Sequence, residues 1–190
     1  ICGIMGIGGG SGTSLCCSSM QQLPIGFPKI TVSTVASGDT SSFVREKDIM
    51  MVYSVADILG LNRITRKILD NAAMAMAGIV KFKEKVSIER ENKKNPNVNK
   101  QWESNGCKPL IAASMMGVTT PCVTTAKEIL EENGFEIIAF HSTGSGGNAM
   151  ENLIKDGFVD GVLDSNTTEI INIPAGGVFP AGGERLVNAG

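Results

Sequence analysis

The residues with the clearest chemical potential form a glycine-rich run, GIGGGSGTS, at residues 6–14. It lies between a strand-like apolar segment and a predicted helix. Such a turn presents unpaired backbone N–H groups at the positive end of the helix dipole, and Thr13 and Ser14 add hydroxyl groups. The run lacks the lysine of G-x-x-x-x-G-K-[ST], and Ser11 interrupts G-x-G-x-x-G. We predict an anion site here, with a purely steric turn as the alternative.

A second glycine-rich run, HSTGSGGNAM, follows another predicted strand. The residues from Gly144 to Ala149 fit the G-x-G-x-x-A variant, and Asp164 stands 20 positions after Gly144. In dinucleotide-binding folds an acidic residue at about this spacing receives a ribose hydroxyl. The run is therefore compatible with a nicotinamide cofactor, although Asp164 is equally compatible with a simple turn.

Two threonines and one cysteine mark the start of another predicted helix. The segment GVTTPCV places Thr119 and Thr120 at the N-terminus and Cys122 in the first turn. A helix N-terminus lowers the pKa of a thiol, so Cys122 is a candidate nucleophile. No general base lies nearby in sequence, and a packed, unreactive thiol is the simpler interpretation.

Two further polar residues follow predicted strands. His141, the single histidine, can contact phosphate, transfer a proton or make a structural hydrogen bond. Asp39 follows Ser37 and Gly38, and can hold a metal or a ribose or shape its turn. No acid–base pair emerges, so no catalytic residue is assigned. One histidine without a C-x-x-C pair predicts no metal site.

These candidates are carried by two segments with the same order of elements. In each, a strand leads through a polar loop into a helix and a second strand. The predicted ranges are 1–7, 13–23 and 29–36 in the first segment, and 108–117, 122–134 and 135–140 in the second. Alternation predicts an α/β fold with Rossmann-like, mostly parallel sheets covered by helices, and ligands beyond the carboxyl ends of the strands. The predicted domains are 1–83 and 108–190, joined by a charged, exposed linker at 84–107.

Two helices carry clear boundary signals. Asn62 can cap one of them, and apolar residues then recur at helical spacing: Ile64, Ile68, Leu69, Ala72, Met76 and Ile79. In the other, Pro121 suits the first helical position, Thr119 or Thr120 can cap, and Gly134 ends the helix.

The bulk properties argue against several classes of protein. A chain of 190 residues with net charge −2 offers no basic surface for nucleic acid or an anionic membrane, and one Trp and one Tyr give no platform for base stacking. No run approaches the roughly 18 apolar residues of a membrane span. Five cysteines, an odd number, argue against a disulfide framework and favour a reducing cytoplasm.

Several blocks of the sequence, in one order, resemble a known family. They are GGGSGTSL, LPIGFPKITVSTVASGDT, YSVADILGLNRI, GVTTPCV, FHSTGSGGNAMENLI and GVLDSNTTE. Together they are similar to the ATP-binding domain family of the tomato mosaic virus resistance protein, and they cover nearly the whole chain except the charged linker. The chain resembles the middle of that domain, so we expect a fragment of a longer polypeptide.

The resemblance implies two α/β lobes with ATP in the cleft between them, with or without Mg²⁺, in a cytoplasmic homodimer with a binding or regulatory role. For the plant relative it implies inhibition of viral RNA replication through binding of the viral replication protein. An enzyme that uses ATP with a phosphorylated or acyl substrate is one alternative. An NAD-dependent oxidoreductase is another.

Matching positions give the nucleotide-binding residues that the resemblance implies, with the turn after the second strand added. They are Gly8, Gly9, Gly10, Ser11, Gly12, Thr13, Ser14, Ser37, Gly38, Thr119, Thr120, Thr143, Gly144, Ser145, Gly146 and Gly147. The opening loop reads Gly-Gly-Gly-Ser-Gly where the family tends to Gly-Gly-Ser-Gly-Gly. Asn166 stands where the family favours threonine, and Pro174 interrupts an expected helix.

Overall fold

The computed structural model describes residues 1–91 and 107–189. The chain divides into two units, Ile1–Lys93 and Lys94–Gly190, and each contains a three-stranded sheet. Every strand pairing in both sheets is parallel, which confirms the predicted α/β class. The predicted cleft and domain boundaries stay predictions. Of the predicted linker, residues 84–91 are helical and residues 92–106 lie outside the described part.

The sheet of the first unit contains β1 (Ile4–Gly8), β2 (Lys29–Ser33) and β3 (Met50–Tyr53), in the order β1-β2-β3. Strand β3 was not predicted from the sequence. The middle strand β2 is buried at every position, and its side chains alternate between two faces. Ile30 and Val32 pack in a cluster with Ala72, whereas the Thr31 hydroxyl contacts the sulfur of Met20 at 3.2 Å. Both faces of this sheet are therefore covered by helices.

Three helices accompany this sheet: α1 (Gly10–Gln21), α2 (Ser41–Val44) and α3 (Arg63–Glu91). The predicted cap of α3 is confirmed, because Asn62 Oδ1 accepts hydrogen bonds from the amides of Ile64 (2.9 Å) and Thr65 (3.0 Å). The predicted apolar stripe packs on the sheet except for Ile64, which is 48% exposed. Helix α1 begins earlier than predicted, so it starts inside the glycine-rich run.

The sheet of the second unit contains β4 (Leu110–Met115), β5 (Glu136–His141) and β6 (Gly161–Asp164), in the order β5-β4-β6. Its helices are α4 (Thr120–Glu132), α5 (Ser145–Lys155) and α6 (Thr168–Ala175), with a 3₁₀ turn at Gly117–Thr119. Gly134, with φ of 86°, lies just past α4 as predicted. Pro174 lies inside α6, and Gly176 ends that helix in the left-handed region.

None of the helices in residues 1–91 and 107–189 combines the length and the apolar character needed to cross a membrane.

Candidate functional site

The carboxyl edge of the first sheet carries the first glycine-rich run. Gly8, Ser33 and Tyr53 end their strands, and the register pairs Gly8 with Ser33 and Ser33 with Tyr53. The hydroxyl oxygens of Thr13 and Ser33 are 2.6 Å apart and buried. This hydrogen bond attaches the first turns of α1 to the middle strand, at the edge where parallel α/β sheets bind ligands.

Only part of the glycine content of this run has a steric cause. A Cβ on Gly8 would lie 2.9 Å from the Gly12 backbone. A Cβ on Gly10 would meet no heavy atom within 4 Å, and one on Gly12 would meet only the Ile7 carbonyl oxygen at 3.9 Å. The tight-turn alternative therefore explains Gly8 and leaves Gly10 and Gly12 without a steric reason.

The first turn of α1 has unoccupied hydrogen-bond donors. Gly9 is the N-cap residue and has no side chain with which to cap the helix. Among the described residues, no side chain accepts a hydrogen bond from the amides of Gly10, Ser11 or Gly12. Gly9, Gly10 and Ser11 are exposed, while the Ser14 hydroxyl donates back to the Gly10 carbonyl at 3.1 Å. Unpaired amides at the positive end of a helix attract an anion.

The turn that leaves β2 gives Asp39 an internal role. Its Oδ1 accepts a hydrogen bond from the Ser41 amide at 2.9 Å, at the start of α2. That backbone bond, with help from the Ser41 hydroxyl, holds the pKa of Asp39 below its usual value. Ser37 and Gly38 are exposed, and the Gly38 amide donates to the Val35 carbonyl at 3.2 Å. Ser37 and Gly38 stay predicted contacts, whereas Asp39 shapes its turn.

The second glycine-rich run also leads into a helix, but there the amides have an internal partner. Gly144 is the N-cap residue of α5. Oε1 of Glu169, from α6, accepts hydrogen bonds from the amides of Gly144 (2.7 Å) and Gly147 (3.0 Å). Glu169 is 0% exposed. A carboxylate of the protein itself therefore occupies the positive end of this helix.

Contacts inside the protein explain the glycines of this second run. A Cβ on Gly146 would collide with the His141 carbonyl, and one on Gly147 would collide with the Glu169 carboxylate. Gly144 has φ of 86°, a conformation that side chains disfavour. The phosphate contacts predicted for these glycines stay predictions. An external phosphate would compete with Glu169 for the same amides.

A buried arginine, Arg185, contacts three carboxylates. Its Nε donates to Glu169 Oε2 at 2.9 Å, and its Nη1 lies 3.4 Å from Glu151 Oε1. The guanidinium binds Asp164 through both oxygens, with Nη2 donating to Oδ1 at 2.9 Å and Nη1 to Oδ2. Asp164 Oδ1 also accepts a hydrogen bond from Ser114 Oγ at 2.5 Å. The carboxylate considered above as a ribose acceptor is therefore already bound within the protein.

Asp164 and Arg185 shift each other's pKa in this cluster. Burial alone would raise the pKa of Asp164, but hydrogen bonds from Arg185 and Ser114 outweigh it, so the pKa lies below its usual value. Burial alone would lower the pKa of Arg185, and the hydrogen bonds to Asp164 and Glu169 raise it instead. Both groups are therefore charged at neutral pH.

The same cluster anchors the segment that follows α6. Glu151 Oε1 accepts a hydrogen bond from the Leu186 amide at 2.7 Å, and its Oε2 accepts one from Asn188 Nδ2 at 3.0 Å. Arg185, Glu151 and Glu169 were not predicted from the sequence. No periodicity or motif marks Arg185, and the only local signal for Glu169 is its position in the first turn of α6.

The predicted threonines serve local turns. Thr119 Oγ1 accepts a hydrogen bond from the Met116 amide at 3.0 Å, so it stabilises the turn before α4. We expected Thr119 or Thr120 to cap α4, but Thr119, at the N-cap position, makes no side-chain cap hydrogen bond. Thr120 and Ser145 are the first residues of α4 and α5. The Thr143 hydroxyl lies 3.4 Å from the carbonyl oxygen two residues earlier. Their roles toward a nucleotide stay predictions.

Cys122 and His141 both have exposed side chains, so the expectation of a packed thiol is wrong. Within the described part of the chain, neither side chain makes a hydrogen bond to another group of the protein. The expectation of a structural hydrogen bond for His141 therefore has no counterpart there. The geometry adds no acid–base pair to the enzyme alternative.

The fold defines a class of protein built from two α/β units, each with a sheet of parallel strands. The chain belongs to the uncharacterised protein family UPF0261. Residues 1–85 match the family's N-terminal domain, and residues 108–190 match its C-terminal domain.

Curated relatives come from bacteria and from tomato. The chain is 50% identical to a UPF0261 protein of Clostridium tetani over 186 residues, which are 98% of this chain and 42% of the relative. It is 43% identical to the ToMV resistance protein Tm-1 (GCR237) of Solanum lycopersicum over 187 residues, 98% of this chain and 23% of that protein. The ToMV susceptible protein tm-1 (GCR26) matches with the same identity and coverage. The predicted resemblance is confirmed, and the chain spans less than half the length of these relatives.

Proposed function

We propose that this chain is a nucleotide-binding module that holds the phosphates of ATP at the start of α1. Its role is binding or regulation within a cytoplasmic homodimer. The observation that carries the proposal is the open first turn of α1, where the amides at residues 10–12 have no side-chain partner among the described residues and Gly10 and Ser11 are exposed. Phosphate binds such helix starts through amides and dipole together.

The proposed binding mode uses backbone amides in place of a lysine. The Thr13 hydroxyl is hydrogen-bonded to Ser33, so Thr13 supports the loop. The exposed Ser11 adds a hydroxyl near the amides. Among the described residues, no group of three or more His, Cys, Asp or Glu side chains is arranged to hold a metal ion.

Two tomato relatives, one named for resistance and one for susceptibility, are equally similar to this chain. The resistance protein and the susceptible protein are each 43% identical to this chain over 187 residues. What this chain shares equally with both does not account for resistance. For this chain we therefore propose nucleotide-dependent binding of a protein partner, without a specific antiviral role.

A thermal-shift titration of the full natural polypeptide with ATP, ADP, NAD and phosphate, with and without Mg²⁺, tests the proposal. ATP at a hundred times its dissociation constant should stabilise the protein by about 2.7 kcal/mol. Gly12→Val should abolish that shift because its methyl groups crowd the first-turn amides. Gly78→Val, in the interior of α3 where a Cβ meets no neighbour within 4 Å, is the matched control.

A shift with NAD and none with ATP would contradict the proposal, as would a Gly12→Val variant that binds ATP like the wild type. Light scattering of the same preparation with and without ATP tests the homodimer.

A further inference from the structure

An open cavity of about 520 Å³ lies between α1 and α2, and residues 10–12 are not among the residues that line it. Its volume falls in the range of about 300–1,000 Å³ that is typical of small-molecule sites. The lining residues come from one face of α1 and from α2 with the residue that follows it: Ser14, Leu15, Cys17, Ser18, Gln21, Ser42, Phe43 and Arg45.

Three of these residues carry hydrogen-bond donors that have no partner within the described part of the chain. Ser14 Oγ donates to the Gly10 carbonyl, and Gln21 Nε2 donates to the Phe43 carbonyl at 2.8 Å, which links the two walls. By contrast, the side chains of Ser18, Ser42 and Arg45 have no hydrogen bond or ion pair within residues 1–91 and 107–189. These are two hydroxyls and one guanidinium on the same cavity.

The residues that line the cavity carry only positive charge. Arg45 is the single charged residue among the lining residues. The aspartates on either side of α2 have other partners: Asp39 accepts from the Ser41 amide, and Asp48 forms an ion pair with Lys29 at 2.7 Å. The cavity therefore favours a negative ligand, since nothing in its own wall neutralises the guanidinium.

The backbone holds Arg45 at the end of α2. Its amide donates to the Ser41 carbonyl at 2.8 Å, and its φ of 46° is uncommon for a residue with a bulky side chain. Leu15 and Phe43 add apolar surface to the same cavity, and Leu15 is 72% exposed. A positive charge beside apolar surface suits a ligand that combines a negative group with an apolar group.

We propose that this cavity binds a small organic oxyanion, a carboxylate or phosphate attached to a compact apolar group. Arg45 binds the oxyanion, in the paired geometry that guanidinium groups favour, and the hydroxyls of Ser18 and Ser42 donate to its oxygens. Leu15 and Phe43 contact the apolar group. The site uses none of the amides at residues 10–12 and does not depend on the ATP proposal.

Isothermal titration of the full natural polypeptide with phenyl phosphate, benzoate and inorganic phosphate tests this site. The better of the first two probes identifies the oxyanion. Arg45→Gln should weaken it about tenfold or more, the effect of a lost charge-assisted hydrogen bond. Arg66→Gln, an exposed arginine on α3, makes the same charge change elsewhere and should leave binding unchanged. Ser18→Trp should abolish binding by filling the cavity.

The proposal would be overturned by no binding of any probe to the wild type, by equal loss in the Arg45 and Arg66 variants, or by binding that survives both Arg45→Gln and Ser18→Trp. Titration of ATP into the same variants separates the two sites. Unchanged ATP affinity in Arg45→Gln supports a second site. Competition between ATP and the bound probe would overturn it, and would leave the ATP proposal standing.

Discussion

Helices α1 and α5 both begin in glycine-rich runs at the carboxyl edges of parallel sheets, yet their first turns are in opposite electrostatic states. At α5 the buried Glu169 accepts hydrogen bonds from the amides of Gly144 and Gly147. At α1 no described side chain accepts from the first-turn amides. Two similar sequence patterns therefore give one helix start that is already neutralised and one that is available to a ligand.

The two runs also differ in the space beside their helical glycines. In the second run, side chains at Gly146 or Gly147 would collide with the protein itself. In the first run, Gly10 has no neighbour within 4 Å of a Cβ, so the space beside it is open. Glycine content alone does not mark a phosphate site. What distinguishes the two cases is whether the amides have an internal acceptor.

Of the substitutions that test this difference between α1 and α5, removal of Arg185 should cause the largest loss of stability. Arg185→Ala leaves two buried carboxylates and the part-buried Asp164 without their cation, so we expect the second unit to lose about 3–5 kcal/mol of stability. Urea unfolding followed by amide hydrogen exchange in residues 108–189 measures the loss. The exposed-site control Arg66→Ala should change stability by no more than about 0.5 kcal/mol. Equal effects in the two variants would show that Glu169 does not rely on Arg185.

The third residues of the two helices offer a matched pair of substitutions. Gly147→Ala should destabilise by about 1–3 kcal/mol, because its methyl group displaces the Glu169 carboxylate. Gly12→Ala in α1 should be neutral or stabilise by up to about 1 kcal/mol, since the unfolded chain loses freedom and no contact is strained. Melting temperatures measured side by side compare them. Equal losses would refute the view that Gly147 is sterically required and Gly12 is not.

Acid should lower the stability of the second unit by protonating Asp164, which lies at the end of β6. Because its folded pKa lies below the unfolded value of about 3.9, its ionised form stabilises the fold above that pH. The contribution is lost as the pH falls through that value toward the folded pKa. We expect the stability difference between the wild type and Asp164→Asn to be largest at neutral pH and to shrink below about pH 4. Urea titrations along a pH series measure it, and a constant difference would contradict the assignment.

Gly9→Asp would give α1 the internal carboxylate that α5 already has. Gly9 is the N-cap residue with φ of −82°, and a Cβ there would approach only Thr34 Oγ1, at 3.6 Å. Stability should rise by only about a few tenths of a kcal/mol. ATP should nevertheless bind at least roughly tenfold more weakly, about 1.4 kcal/mol. Gly9→Asn caps without charge and should weaken ATP less. Unchanged ATP affinity in Gly9→Asp would remove the α1 amides from the site.

Local signals predicted the fold well. The Asn62 cap and the Gly134 stop are confirmed because each depends on residues within a few positions. Strand β3 was missed because its four residues are too few to establish a period. Glu169 lies 22 positions from Gly147, and Arg185 lies 21 positions from Asp164, so only the folded chain brings them together. The two glycine-rich runs could therefore not be told apart from sequence.

The anchoring of Arg185 has a consequence for the kinetics of folding. Its three carboxylate partners lie on α5, at the end of β6 and on α6, so the contact forms only after those elements have assembled. Interactions absent from the folding transition state slow unfolding and leave the folding rate nearly unchanged. We therefore expect the segment after α6 to pack late in folding. Its contacts should slow the unfolding of the second unit without speeding its folding.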